Sequence, residues 1–181
     1  MLPLVDNKKW EIINFFLVHP TEEIHLRSLA RRVNVSATWA AKVLKELSVE
    51  GVVSIRREKE SKMIKVQAER DSPAFLRLKM IFNIYSIYHS GLLDQIITVY
   101  RRPECIILFG SYRRGEDTEE SDIDIAVITP QKVNFNWSGF GRKLHRKVKI
   151  LELFKEKKIE PEFKNTLANG SVLYGYLDVL K

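Results

Sequence analysis

The sequence predicts a small α/β (α+β) domain that follows a compact helical domain ending in a hairpin, and three observations carry that reading. Within Cys105 to Thr129 an apolar, β-branched run stops at Gly110-Ser111, and a second strand-like run opens on Asp122-Ile123-Asp124-Ile125. The first seventy residues hold three segments of helical period before two short strand-like runs. Between these regions stands Asp71-Ser72-Pro73, where Ser before Pro favours extended chain and Pro fits the first helical turn. The expected boundaries are 1–70 for the helical domain, 71–103 for linker helices and 104–181 for the α/β domain.

Composition narrows the functional classes. A chain of 181 residues has room for one ordinary domain or two small ones. Its 45% apolar and 29% charged fractions are those of a soluble globular protein without low-complexity or repeated segments. No run approaches the ~18 apolar residues of a membrane span, and the N-terminus lacks a basic-then-apolar secretory pattern. The expected location is the cytoplasm, with no membrane partner. One cysteine excludes an internal disulfide, and Cys105, inside an apolar strand, reads as a packing residue. The net charge of +7 points to an acidic partner, yet it divides as +3 over residues 1–72 and +4 over 73–181. Local clusters are denser: Arg56, Arg57, Lys59, Lys62 and Lys65, then Arg142, Lys143, Arg146, Lys147 and Lys149. Each also fits a solvated face.

Taken in order, Asp6 is placed to cap a first helix, where Ile12, Ile13, Phe16 and Leu17 recur at helical spacing until His19-Pro20. Leu26, Leu29 and Ala30 mark a short second helix ending near Val33-Asn34. Ser36 caps a third, carrying Trp39, Ala40, Val43, Leu44 and Leu47, and Gly51 ends it. Val52 to Ile55 and Met63 to Val66 read as strands joined by a charged tip. From Ala74 to Tyr88 apolar residues cover much of the helical surface, so that helix is expected to be buried on several sides. Gly91 interrupts it, and Leu92 to Tyr100 form another helix. The pair would couple the two domains or supply a homodimer contact.

The chemistry is expected between Gly110 and Asp124. Glycine allows a tight bend and close backbone approach, and Ser111 with the next amides can offer donors to a phosphate. On a strand, Asp122 and Asp124 share a face, with isoleucines on the other. Two such carboxylates are hard oxygen ligands for a divalent cation, Mg2+ being the natural choice. Arg113 and Arg114 lie on the intervening segment and are able to meet the same phosphates. Beyond Thr129-Pro130 a loop to about Gly141 leaves room for a substrate-facing lid. Arg142 to Lys147 look helical or turn-like, and Val148 to Phe154 strand-like.

Gly110-Ser111, the Arg114-Gly115 step and Ser121-Asp122-Ile123-Asp124 resemble the signature of the polymerase-β-type nucleotidyltransferases, the minimal nucleotidyltransferases foremost, from about Glu104 onward. The resemblance implies a mixed sheet, Mg2+ on Asp122 and Asp124, and a nucleoside triphosphate, ATP first among them, cradled by Gly110 and Ser111 with help from Arg114. It also implies an acceptor, which could be a nucleic acid, a small molecule or a protein such as a toxin partner. The family normally adds a third carboxylate from a later strand, and in that register Lys149 stands in its place. Glu152 is the acid on that strand, but alternation puts it with Val148 and Ile150, so only a bulge or register shift would make it a metal ligand. Leu167 to Leu177 resembles the closing helix end and final strand of the minimal enzymes.

Residues 5–68 resemble a winged helix-turn-helix domain. That resemblance makes the third helix a DNA-recognition helix with Ser36, Thr38 and Lys42 exposed, and puts Arg56, Arg57, Lys59 and Lys62 on a wing facing phosphates. Trp39 fits a core role better than a DNA contact. The same outline also serves protein-interaction modules, and Glu46, Glu50, Glu58 and Glu60 dilute the basic surface. Two functions therefore stand side by side: a Mg2+-dependent nucleotidyltransferase coupled to DNA binding, and a DNA-binding regulator whose second domain senses nucleotide or has lost catalysis.

Overall fold

Helix α1 (Asn7–Val18) and the next five elements form the first of two units, Met1–Lys79 and Met80–Lys181. The computed structural model describes residues 7–154 and 159–178 of this chain. Asp6, expected to cap α1, lies outside the described residues. After α1 come β1 (Ile24–His25), α2 (Leu26–Arg32), α3 (Ala37–Val49), β2 (Val53–Arg57) and β3 (Ile64–Ala68). The strands form an antiparallel sheet in the order β1-β3-β2, with Ile24 opposite Val66 and Ile55 opposite the same valine across β2. Two-residue β1 has no signature of its own in the sequence, because a strand that short is defined only by its partner.

The three helices bury the predicted faces: Ile12, Phe16, Leu17, Leu29, Leu44 and Leu47 are fully inside. Each such side chain contributes roughly 1.5–3 kcal/mol by leaving water. Ser36 caps α3 in extended backbone, its Oγ accepting from the Trp39 backbone N–H at 3.1 Å. Ser36→Ala is expected to lower the stability of this unit by about 1 kcal/mol, read as a shift in the urea midpoint.

Ser36, Thr38 and Lys42 are exposed on α3, and Trp39 is half-buried. Arg56, Arg57, Lys59 and Lys62 are exposed along the hairpin. Lys65, grouped with them by sequence, instead sits between Glu23 and Glu58 at 3.0 and 3.3 Å.

Helix α4 (Pro73–Ser90) begins where expected, with the Ser72 Oγ accepting from the Phe75 backbone N–H at 3.0 Å. It is buried along one stripe, Phe75, Lys79, Asn83 and Ile87, while Ile81 and Tyr88 are 56% and 49% exposed. The expectation of burial on several sides is thus corrected. Its apolar residues outnumber the buried positions, and two of the four buried positions are polar. The division between the two units falls inside this helix, after Lys79.

In the second unit α5 (Leu92–Val99), β4 (Cys105–Phe109), α6 (Gly110–Arg114) and β5 (Asp122–Ile128) are followed by α7 (Ser138–Leu144), β6 (Lys147–Leu153), α8 (Pro161–Ala168) and β7 (Ser171–Gly175). The sheet order is β6-β5-β4-β7, with β4 antiparallel to β5 and β7, and β5 parallel to β6. It is a mixed sheet.

Alternation gives this sheet two faces. Ile106, Leu108, Ile123, Ile125 and Val127 pack with Leu92, Leu93, Ile96 and Tyr100. Cys105, Ile107 and Ala126 pack with Leu167 of α8, flanked by Phe109, Ile128 and Phe163. The apolar face of helix α5 thus covers this side of the sheet. The loop after β5 is no free lid. Val133, Trp137 and Phe140 pack against the α5-side core, and the Val133 backbone N–H donates to Glu152 Oε1 at 2.7 Å.

Candidate active site

Strand β5 begins with the two aspartates. Its odd-numbered residues Ile123, Ile125 and Val127 are fully buried in the α5-side core, so Asp122 and Asp124 share the opposite face with Ala126 and Ile128. Helix α8 covers the Ala126 end of that face through Leu167. At the other end Asp122 and Asp124 are half-buried.

Gly110 closes one side of this space. It follows Phe109, which lies opposite Asp124 in the β4–β5 ladder, and it turns the chain into α6 with φ +76°. A Cβ there would stand 2.7 Å from Asp124 Oδ2. Two conditions therefore require glycine: the left-handed backbone and the space taken by the carboxylate. Gly110→Ala is expected to cost roughly 1–3 kcal/mol and to displace Asp124, seen as a lower melting temperature together with weaker nucleotide binding. A mere loss of stability with unchanged binding would separate the two effects.

Ser111 follows in the first turn of α6, partly buried. Arg114 is half-exposed, and its Nε donates to Glu116 Oε2 at 2.6 Å. Arg113 Nε donates to Ser171 Oγ on β7 at 3.3 Å.

The segment between α6 and β5 is anchored by residues that sequence reading does not single out. Asp117 is buried, accepting from Asn83 Nδ2 at 2.6 Å and from Arg146 Nε at 3.2 Å. Asn83 Nδ2 also lies 2.7 Å from the Tyr112 carbonyl, and Arg146 donates to the His145 carbonyl at 2.8 Å. In the sequence Asp117 sits in an acidic run that resembles solvated loop, and Arg146 sits in a basic cluster. Nothing local marks either as buried. Ser121 completes the turn, its Oγ accepting from the Thr118 backbone N–H at 2.9 Å.

The parallel register pairs Asp122 with Lys147 and Asp124 with Lys149. Lys149 Nζ lies 2.5 Å from Asp122 Oδ2, and that bond together with the Asp122 charge holds the ammonium above its usual range, hence charged. Glu152, in contrast, is opposite Val127 and shares the α5-side face with Val148 and Ile150. It accepts from the Tyr100 hydroxyl at 2.9 Å as well as from Val133. The β5–β6 ladder is regular, without the bulge that would have turned Glu152 toward the aspartates. In this register Glu152 lies on the face opposite Asp122 and Asp124 and ties Tyr100 to the loop after β5. Among the described residues no group of three His, Cys, Asp or Glu could hold a metal ion.

Burial raises the Asp124 carboxyl above the usual carboxylate range, with Lys149 opposing the shift and Asp122 adding to it. The folded state thus favours the protonated form. Its contribution to stability is complete below the unfolded value and is lost as pH rises through the folded value. Asp124→Asn should therefore raise the ligand-free melting temperature at pH 7 and leave it unchanged near pH 3. The gain stays under about 1 kcal/mol because water screens a half-exposed carboxylate. A variant less stable than wild type at pH 7 would contradict this.

Comparison with known proteins places these elements in context. The family model described as "Polymerase beta, Nucleotidyltransferase" matches residues 92–176, from the start of α5 to just past β7. A protein of Methanocaldococcus jannaschii, named "Putative protein adenylyltransferase MJ0604", is 43% identical over 79 residues, covering 38% of this chain and 76% of that protein. One solved structure, "The crystal structure of transcriptional regulator PA4135", aligns at 17% identity with a TM-score of 0.36, covering 54% of this chain and 75% of that one. So loose a likeness bears on neither fold nor function.

Proposed function

Because the chain belongs to the polymerase β nucleotidyltransferase family, we propose that its second unit transfers a nucleotidyl group from a nucleoside triphosphate, ATP foremost, to a protein acceptor. The observation that carries this reading is the half-buried pair Asp122 and Asp124 at the start of β5, with Gly110 against Asp124. Two hard carboxylates fit Mg2+, which takes one or two protein carboxylates and completes its shell with phosphate oxygens and water. When bound, magnesium neutralises triphosphate charge and stabilises the attacking and leaving oxygens.

The chain's own residues do the rest. Asp122 and Asp124 would hold the magnesium through their oxygens, and the Gly110 turn lets backbone approach the triphosphate with Ser111 at the helix start. Arg114 would leave Glu116 to add a bidentate phosphate contact. The acceptor oxygen forms its bond to the α-phosphorus as the bond to the β-phosphate bridge breaks. Pyrophosphate departs, and the acceptor proton passes to water.

The name of the 43%-identical relative speaks of protein adenylylation, which supports a protein as the acceptor. We read the first unit as a winged helix that brings this chemistry to DNA through Ser36, Thr38, Lys42 and the hairpin residues Arg56, Arg57, Lys59 and Lys62. Its three-helix, three-strand order supports that reading. No helix among the described residues is long and apolar enough to cross a membrane.

One observation favours the second reading, a DNA-binding regulator that senses nucleotide without turning it over. Lys149 already pairs with Asp122, one of the two carboxylates the enzyme needs. Incubating the full chain with α-labelled ATP, magnesium and the candidate partner protein decides between them. Label on the partner is the result expected of the enzyme. Magnesium-dependent ATP binding without transfer to any acceptor would give the regulator.

A further inference from the structure

Asp122 enters the site with one oxygen already engaged. Its Oδ2 is 2.5 Å from Lys149 Nζ, and the register sets Lys149 beside Asp124 on the same face. An ammonium at that distance and a divalent cation on the same oxygen would repel at contact range. A two-metal site holds its ions roughly 3.5–4 Å apart and needs carboxylates to link them. Here two carboxylates face the site, Lys149 holds one of them, and no third His, Cys, Asp or Glu joins them among the described residues.

We propose that this site takes a single divalent cation with its nucleotide, and that the Lys149 ammonium is a built-in cation standing where a second ion would sit. The idea rests on the nucleotide site proposed above. An ammonium carries three donors, so one can stay on Asp122 while another meets a phosphate oxygen of the triphosphate. Lys149 is half-exposed on edge strand β6, free to make that second contact without moving the backbone. Lysine then does two things: it blocks recruitment of a second ion through Asp122, and it supplies one fixed positive charge where an ion would have supplied two. The site becomes less dependent on free cation concentration.

Manganese provides the count, read by the electron paramagnetic resonance of the ion left free in solution. The full chain is titrated with Mn2+ in the presence of saturating α,β-methylene-ATP, whose α–β link cannot be cleaved, and again without nucleotide. Wild type is expected to bind one Mn2+ beyond that carried by free nucleotide, and Lys149→Glu two. Without nucleotide, Lys149→Ala should bind Mn2+ about tenfold more tightly than wild type, because Asp122 is released. With nucleotide, the same variant should hold the analogue about tenfold more weakly, which a merely structural lysine would not do. Thermal melts confirm that both variants remain folded. Two ions on wild type, or variants indistinguishable from wild type in both titrations, overturn the proposal while leaving the nucleotide site intact. If wild type binds no analogue and Lys149→Glu no manganese, the nucleotide site itself fails and the proposal with it.

Discussion

Replacing Asp117 by alanine is expected to destabilise the α/β unit by about 3–5 kcal/mol, the largest single-residue effect on stability outside the apolar core. The side chains of Asp117 and Arg146 are 0% and 3% exposed, and both Asp117 oxygens are engaged, one by Asn83 and one by Arg146. Alanine removes the charge that balances a buried guanidinium and leaves the Asn83 amide without an acceptor it now uses. The cost is that of an uncompensated buried charge, and exceeds what the ion pair itself contributes in the intact protein.

The effect also reaches the site. Asp117 fixes the segment that leads from α6 into Asp122, and Asn83 ties that segment to the Tyr112 carbonyl. For a unit of this size several kcal/mol corresponds to a fall in melting temperature of more than roughly ten degrees. Asp117→Asn retains an acceptor for Asn83 and should cost less. Loss of under about 1 kcal/mol in the alanine variant, measured by chemical denaturation, would show that the pair relaxes into water and anchors nothing.

Asp124→Asn is expected to weaken magnesium-dependent triphosphate binding at least about 100-fold, equivalent to roughly 2.7 kcal/mol. The substitution preserves shape and removes only the charge that a hard cation needs. Asp122→Asn should lose less, about tenfold, because Asp122 already shares its charge with Lys149. Calorimetric titration of ATP with and without magnesium gives both numbers. A thermal melt of Asp124→Asn, expected to be no lower than that of wild type at neutral pH, separates lost binding from unfolding. Equal binding by both variants and wild type would remove the carboxylates from any nucleotide site.

Several features are legible in the amino-acid sequence because their cause is local. Ser36 caps α3 by bonding a backbone group three residues on, and Pro73 opens α4 because its ring fixes the needed φ. Strand β4 runs from Cys105 to Phe109 as its β-branched, apolar run predicts. The placement of Glu152 on the far face also follows from alternation, and the regular parallel ladder agrees with it.

Other features escape a local reading because long-range partners decide them. The amphipathic face of α5 fits a linker helix as well as a core helix, since it does not say what covers it. Length alone gives the loop after β5 room to act as a lid, and conceals that Val133, Trp137 and Phe140 dock on the core. Arg146 falls among exposed basic residues in the sequence, although its partner Asp117 lies 29 positions away and is buried.

By itself, then, the sequence determined the turn at Gly110, the shared face of Asp122 and Asp124, the Ser36 cap and most helix and strand limits. Each depends on backbone geometry and side-chain period within one segment. Only the tertiary structure decided that Gly110 must yield its Cβ space to Asp124, that Asn83, Asp117 and Arg146 form one buried network, and that Lys149 reaches Asp122. Those contacts join residues from separate elements. Their energies come from burial and from a strand register that no local periodicity encodes.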